Sequence, residues 1–286
     1  MPATWRRRLL RALRAVGLDA ATAGPRSVLL ARRDAVELRK VGPGAVLATQ
    51  PALARRHWAE VEQGLARHAA HEHVAAILRA YRVDWVLDVG ANRGQFAETL
   101  RRSGFTGRIV SFEPVPEAFA ALERAARDDP RWSVHPYALG REDGVVAMNV
   151  VPGTLSSIRA PTPFGARRYA RLREPRTVAV PVRRLDTVLD DVLADVAAPR
   201  AYLKLDTQGY DVEVFAGLGA RAADIVAMQS EVALLTIYEG MPRLPEALLA
   251  YEAAGFQVTA LYPVSRETRT ARVLEFDCVM VRADAV

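Results

Sequence analysis

The sequence predicts a doubly wound α/β fold with a mostly parallel sheet, an antiparallel C-terminal edge and an N-terminal helical extension. Three observations carry this. From residue 83 onward, apolar strand patterns alternate with helix patterns of about 10 to 15 residues, the spacing of βαβ units. The last two strand patterns, "QVTALYPV" and "VLEFDCVMVR", are joined by a polar turn instead of a helix. The basic excess of a chain of formal net charge +6 lies ahead of all this: residues 1–58 hold 12 of the 39 Lys+Arg and 3 of the 33 Asp+Glu, which leaves −3 for residues 59–286.

The leader "TWRRRLLRALRAVGL" sets Trp5, Leu9, Leu13 and Val16 at helical spacing, with Arg6, Arg7, Arg8, Arg11 and Arg14 around the other faces. Such a basic amphipathic helix suits peripheral contact with an anionic membrane through residues 4–18, or packing on its own domain or a partner. A second helical stretch covers residues 52–81. Its His57, His68, His71 and His73 have no companion ligands at metal-binding spacing. Residues 1–70 therefore read as a basic helical extension and 71–286 as the main domain. No apolar run approaches the ~20 residues that cross a bilayer, and the single cysteine, Cys278, sits in a strand pattern, so a cytoplasmic or membrane-peripheral protein is expected. The acidic balance of the main domain argues against a nucleic-acid partner.

In order, the main domain reads as strand "WVLDVG", helix "GQFAETLRRSG", strand "RIVSFEP", helix "EAFAALERAARDD" and strands "WSVHPYALG" and "GVVAMNVV". Then come strand "AYLKLD", helix "DVEVFAGLG", strand "DIVAMQSEV", helix "LPEALLAYEAAG" and the terminal strand pair. Residues 151–184 hold five prolines, and eight arginines fall between 159 and 184, so the segment reads as an irregular, Arg-rich lid.

In a doubly wound sheet the ligand lies beyond the carboxyl ends of the strands, which puts the turn after "VLDVG" in the pocket. A dinucleotide turn needs glycine at its first, third and sixth positions; here those are Gly90, Asn92 and Gln95, so only the first fits. A cofactor with an adenosine but no pyrophosphate fits better, and S-adenosylmethionine is one. Gly90 and Gly94 allow close backbone approach, with Ala91 and Asn92 between them. Asp88 offers a carboxylate to the positive end, and Glu113, at the end of the second strand, a bidentate acceptor for the ribose diol. Ala138 and Leu139 follow the strand that lines the adenine side. Asp206 caps "AYLKLD" next to the cofactor strand; it is the first candidate for a general base, and Glu231 in "QSE" the second carboxylate if a divalent metal takes part. His135 ends the third strand, as packing for the cofactor or as a base. Lys204 and Tyr210 flank Asp206. Tyr238 and Glu239 stand where an acceptor would enter, and Arg167 and Arg168 of the lid would meet an anionic one.

Read together, "LDVGANRGQFA", "FEPVPEAF", "YALG", "SSI", "LDTVL", "LKLDTQGYDVEVFAG", "QSEVALLTIYEGMP", "AGF" and "EFDCVMVR" resemble the FkbM-type S-adenosylmethionine-dependent methyltransferases over residues 83–282. The resemblance implies the class I, Rossmann-like methyltransferase sheet and O-methylation of a hydroxyl on a glycan, glycolipid or polyketide-type molecule. Many relatives carry "DVEG" where this chain has "DTQG", so Gln208 replaces a charged residue. Two other readings stay open: a methyltransferase acting on RNA or protein, and a non-catalytic cofactor-binding module recruited to a membrane by its leader. The oligomeric state is not legible.

Overall fold

A computed structural model describes residues 11–24, 27–193, 196, 198–267 and 269–285. The chain divides into two compact units, residues 1–64 and 65–286.

In the first unit, residues 11–15 are helical, and positions 4–10 of the expected leader helix lie outside the described residues. Residues 18–49 depart from the helical expectation. β1 (Leu18–Gly24) pairs with β2 (Ser27–Arg32), and β3 (Glu37–Gly42) with β4 (Ala45–Thr49), both antiparallel. The second hairpin turns through Gly42, Pro43 and Gly44, whose φ of 75° suits a residue without a Cβ. The short helix α1 (Pro51–Arg56) comes next, with proline at its first position.

The second unit is built on a seven-stranded sheet of order β13-β14-β12-β11-β5-β6-β7. Its strands are β5 (Trp85–Val89), β6 (Arg108–Phe112), β7 (Trp132–His135), β11 (Ala201–Leu205), β12 (Ile225–Ala233), β13 (Phe256–Arg266) and β14 (Val273–Arg282). Neighbours from β7 to β12 run parallel, and β14 is antiparallel to both β12 and β13. All five residues of β5 and of β11 are buried, as central strands covered on both faces must be. On one face Val86, Ile109, Tyr202 and Val279 pack with α2 (Trp58–Ala80) and α3 (Gln95–Arg102). α2 contributes Val74, Ile77 and Leu78, a helical stripe. On the other face Leu87, Leu203, Met228 and Met280 pack with α6 (Leu185–Val192), α7 (Asp211–Ala216) and α8 (Leu244–Ala253). The class I methyltransferase arrangement expected from the sequence is the one observed. No helix among the described residues is long and apolar enough to cross a membrane.

Two strand assignments change. "WSVHPYALG" divides at Pro136: β7 stays in the large sheet, while β8 (Ala138–Gly140) joins a separate three-stranded sheet of order β8-β10-β9. Proline lacks the N–H that would continue the ladder. β9 (Gly144–Val150) belongs to this small sheet too, and its partner β10 (Arg176–Arg184) comes out of the supposedly irregular lid. Val178, Val180 and Val182 give β10 its period of two. Pro181 faces only β9, because pairing with β8 begins at Val182.

Candidate functional site

Beyond the carboxyl ends of β5, β6 and β11 lies a cavity of about 840 Å³. Registers Leu205↔Val89 and Val89↔Phe112 end the three strands at one level, so the loops that leave them share one rim. Gly90 opens the first loop with φ 76°. A Cβ there would stand 2.0 Å from the carbonyl oxygen of Asp206, so the close passage of the β11 loop excludes every other residue. The N–H groups of Gly90 and Ala91 both reach the Phe112 carbonyl at 3.0 Å. Asn92, itself at φ 50°, donates its side-chain amide to the Gly153 carbonyl at 3.1 Å.

Glu113 is buried at the cavity wall. Its Oε2 accepts from the N–H of Asn92 and its Oε1 from the N–H of Val115, both at 2.8 Å. Burial pushes its carboxyl up, against these two bonds and the charge of Lys204. Each oxygen keeps a lone pair, and the two are held as a fork. Ala138 and Leu139 line the same cavity, as do Val115 at the start of α4 (Pro116–Ala126) and Met148 of β9.

Several expected ligands serve the scaffold instead. Asp88 points into the core. Trp132 Nε1 donates to Ser111 Oγ (2.9 Å), Ser111 Oγ donates to Asp88 Oδ2 (3.2 Å), and Lys204 Nζ stands 3.0 Å from Asp88 Oδ1. This polar chain crosses four adjacent strands, β7, β6, β5 and β11, and Asp88 does not line the cavity. Gly94, at φ 93°, is kept small by Trp132, whose ring a Cβ would meet at 2.7 Å; it too is absent from the lining. His135 stacks on Phe112 at 5.3 Å and 19° outside the cavity, and burial, helped by Arg183, holds its pKa below the ordinary imidazole value. The ring packs against the end of β6 and does not line the cavity.

Asp206 lines the cavity, its side chain 44% exposed, 3.6 Å from Lys204 Nζ. Lys204 also donates to the Gly90 carbonyl at 2.9 Å. Burial opposes its charge, but Asp88 and Asp206 outweigh that and push its pKa up. Between Asp206 and Glu231, the two carboxylates a divalent metal would need, lies an amide: Gln208 Nε2 donates to Asp206 Oδ1 at 3.0 Å and to Glu231 Oε2 at 2.8 Å. Among the described residues no three His, Cys, Asp or Glu side chains have metal-binding spacing. Glu231, Glu275 and Asp277 form an acidic group on β12 and β14. Burial, reinforced by their neighbours, drives Glu231 well up and lifts Glu275 and Asp277 to about 7.

Tyr238 is almost fully buried and does not line the cavity. Its hydroxyl shares one proton between the Leu155 carbonyl (2.8 Å) and Gln208 Oε1 (3.2 Å). Glu239 is exposed outside the lining, its carbonyl taken by Arg159. Arg167 and Arg168 close α5 (Pro163–Arg168) outside the cavity; Arg168 lies over the Tyr169 ring and reaches the Arg266 carbonyl. Of the eight arginines in 159–184 only Arg176 lines the cavity, paired with Glu117 at 2.7 Å. Arg159, Arg171 and Arg173 bind backbone carbonyls, which charge counting along a sequence does not reveal.

A model of the methyltransferase FkbM domain matches residues 88–258, more than half of the chain. The chain belongs to the FkbM methyltransferase family. "Methyltransferase 1" of Beauveria bassiana (strain ARSEF 2860) is 26% identical over 160 residues, 50% of this chain, and the chain spans 61% of that protein's length. Magnesium protoporphyrin IX methyltransferase from Synechocystis PCC 6803, solved with bound SAM, superimposes with TM-score 0.44 at 11% identity, over 79% of this chain and 85% of that one. An Aeropyrum pernix fibrillarin with S-adenosyl-L-methionine gives 0.39 at 12% identity, over 69% and 66%.

The cofactor of this FkbM domain is S-adenosylmethionine, and the residues present fit it. The fork of Glu113 suits two vicinal hydroxyls, the apolar wall of Val115, Ala138, Leu139 and Met148 suits a nucleobase, and the amides of Gly90, Ala91, Asn92 and Gly94 that a pyrophosphate would need are already bonded within the protein. The residues missed from sequence were Lys204 as an organiser of the Gly90 loop and Gln208 as a bridge. A lone lysine in a fully buried strand was the available signal, since burial demands a partner for it.

Proposed function

We propose that the protein transfers a methyl group from S-adenosylmethionine to a hydroxyl of a glycan, glycolipid or polyketide-type small molecule. The observation that carries this is the Asp206 carboxylate, solvent-accessible at the cavity end of β11 beside the Gly90 loop and held on one oxygen by Gln208. When bound, the cofactor would supply an electrophilic methyl group, which the acceptor oxygen would take in line as the electron pair of the C–S bond is left on sulfur. Asp206 accepts the hydroxyl proton, Glu113 anchors the ribose, and the Gly90 loop, tied to Lys204, fixes the distance between them. Because seven of the eight arginines of 159–184 contact carbonyls or carboxylates and the eighth, Arg167, does not line the cavity, an uncharged acceptor is favoured over an anionic one.

Methyl-labelled S-adenosylmethionine incubated with cell extract fractionated by solubility tests the reading. Label in glycan, lipid or small-molecule fractions that survives mild alkali is expected, because methyl ethers resist it and methyl esters do not. Asp206→Asn should lower transfer by roughly 100-fold or more while leaving cofactor affinity within a few-fold. Label confined to RNA or protein would contradict it.

A further inference from the structure

Gln208 is the least ordinary residue of the cavity wall. Its φ of 55° lies in the left-handed region, where a glutamine persists only if its surroundings over-determine it. They do. Ser157 Oγ donates to its backbone carbonyl at 2.7 Å, both hydrogens of Nε2 go to carboxylates, and Oε1 faces the Tyr238 hydroxyl. Turning the amide over would set its oxygen against the acceptor oxygens of both Asp206 and Glu231, so the orientation with the NH2 toward the two acids is the one that satisfies them. The amide nitrogen has no lone pair to offer, and its hydrogens point where a cation between Asp206 and Glu231 would sit.

We propose that Gln208 is a built-in, uncharged bridge that fixes Asp206 and Glu231, that the site therefore works without a divalent cation, and that residue 208 decides this. A carboxylate in its place would turn the same pair into a three-oxygen cation site. Gln208 is thus a positioning residue, acting through Asp206. This rests on the reading of Asp206 as the group that meets the acceptor, but its test does not need the acceptor.

Mn2+ is the probe, followed by its free-ion electron paramagnetic resonance signal with the full chain, and S-adenosylhomocysteine affinity is measured by calorimetry with and without chelator. The wild type should leave the Mn2+ signal as Asp206→Asn leaves it, and its S-adenosylhomocysteine affinity should ignore the chelator. Gln208→Glu should bind Mn2+ at least tenfold more tightly than the wild type, and Gln208→Glu/Asp206→Asn should lose that gain. Wild-type Mn2+ binding abolished by Asp206→Asn, chelator-sensitive S-adenosylhomocysteine binding, or a soluble Gln208→Glu protein indistinguishable from wild type would each overturn the proposal. If Gln208→Glu fails to fold, the wild-type and Asp206→Asn titrations still decide. A wild type that binds no S-adenosylhomocysteine would sink the functional reading instead, with the Mn2+ comparison left standing.

Discussion

Charge at this site is handled residue by residue, through partners within about 3 Å. Asp88 is fully buried, and Lys204 answers it from the next strand. Removing one partner of a buried pair leaves an uncompensated charge, so Lys204→Met should cost about 3–5 kcal/mol in denaturant unfolding, and adding Asp88→Asn should recover a large part of it. A loss below about 1 kcal/mol would show that the pair does not hold the sheet. Gly90 offers a second check at this scale. Alanine there meets the Asp206 carbonyl at 2.0 Å and must also adopt a positive φ, so Gly90→Ala should destabilise by at least about 2–3 kcal/mol and displace the Asp206 loop. Near-native stability would mean that the two loops are not packed as described.

Among the elements, the segment between β9 and α5 acts as a strut. Ser157 holds the Gln208 carbonyl, and Arg159 holds the Gly209 carbonyl and Glu213 at 2.8 Å each. Arg159→Ala should raise amide hydrogen exchange in residues 206–210 while β5 and β11 stay protected; unchanged exchange in that loop would refute the strut. The same scale shows what the sequence could and could not disclose. β5, β6, β11 and β12 were legible because strands buried along most of their length read as largely apolar runs, and the places of Glu113 and Asp206 at the cavity because strand ends fix where loops meet. β10 was hidden by Pro181, which a strand paired on one side tolerates. Asp88, Gly94 and Tyr238 were assigned to ligands because motif position does not say which way a side chain points. Their partners, Lys204, Trp132 and Gln208, come from segments tens of residues away in the chain.

For the whole molecule, acidity in the second unit makes stability depend on pH. Glu275 and Asp277 are lifted to about 7 in the folded protein, mainly by burial, whereas unfolded carboxyls titrate near 4. Between those values the folded state binds more protons than the unfolded state, so stability falls as pH rises from about 4 to about 7 and then levels off. Melting temperature should drop between pH 5.5 and pH 7.5 (roughly the upper part of that window), and Asp277→Asn should flatten the curve. A melting temperature that rises over this range would contradict the buried acidic group. All these devices converge on one crevice, where the proposed function has Glu113 grip a nucleoside through its sugar. Calorimetric titration of S-adenosylhomocysteine into wild type and Glu113→Ala tests that grip most directly. Loss of two charge-assisted hydrogen bonds, about 1.5 kcal/mol or more each, should weaken binding by about 100-fold or more with the fold intact. Equal affinity in the two proteins would contradict the account.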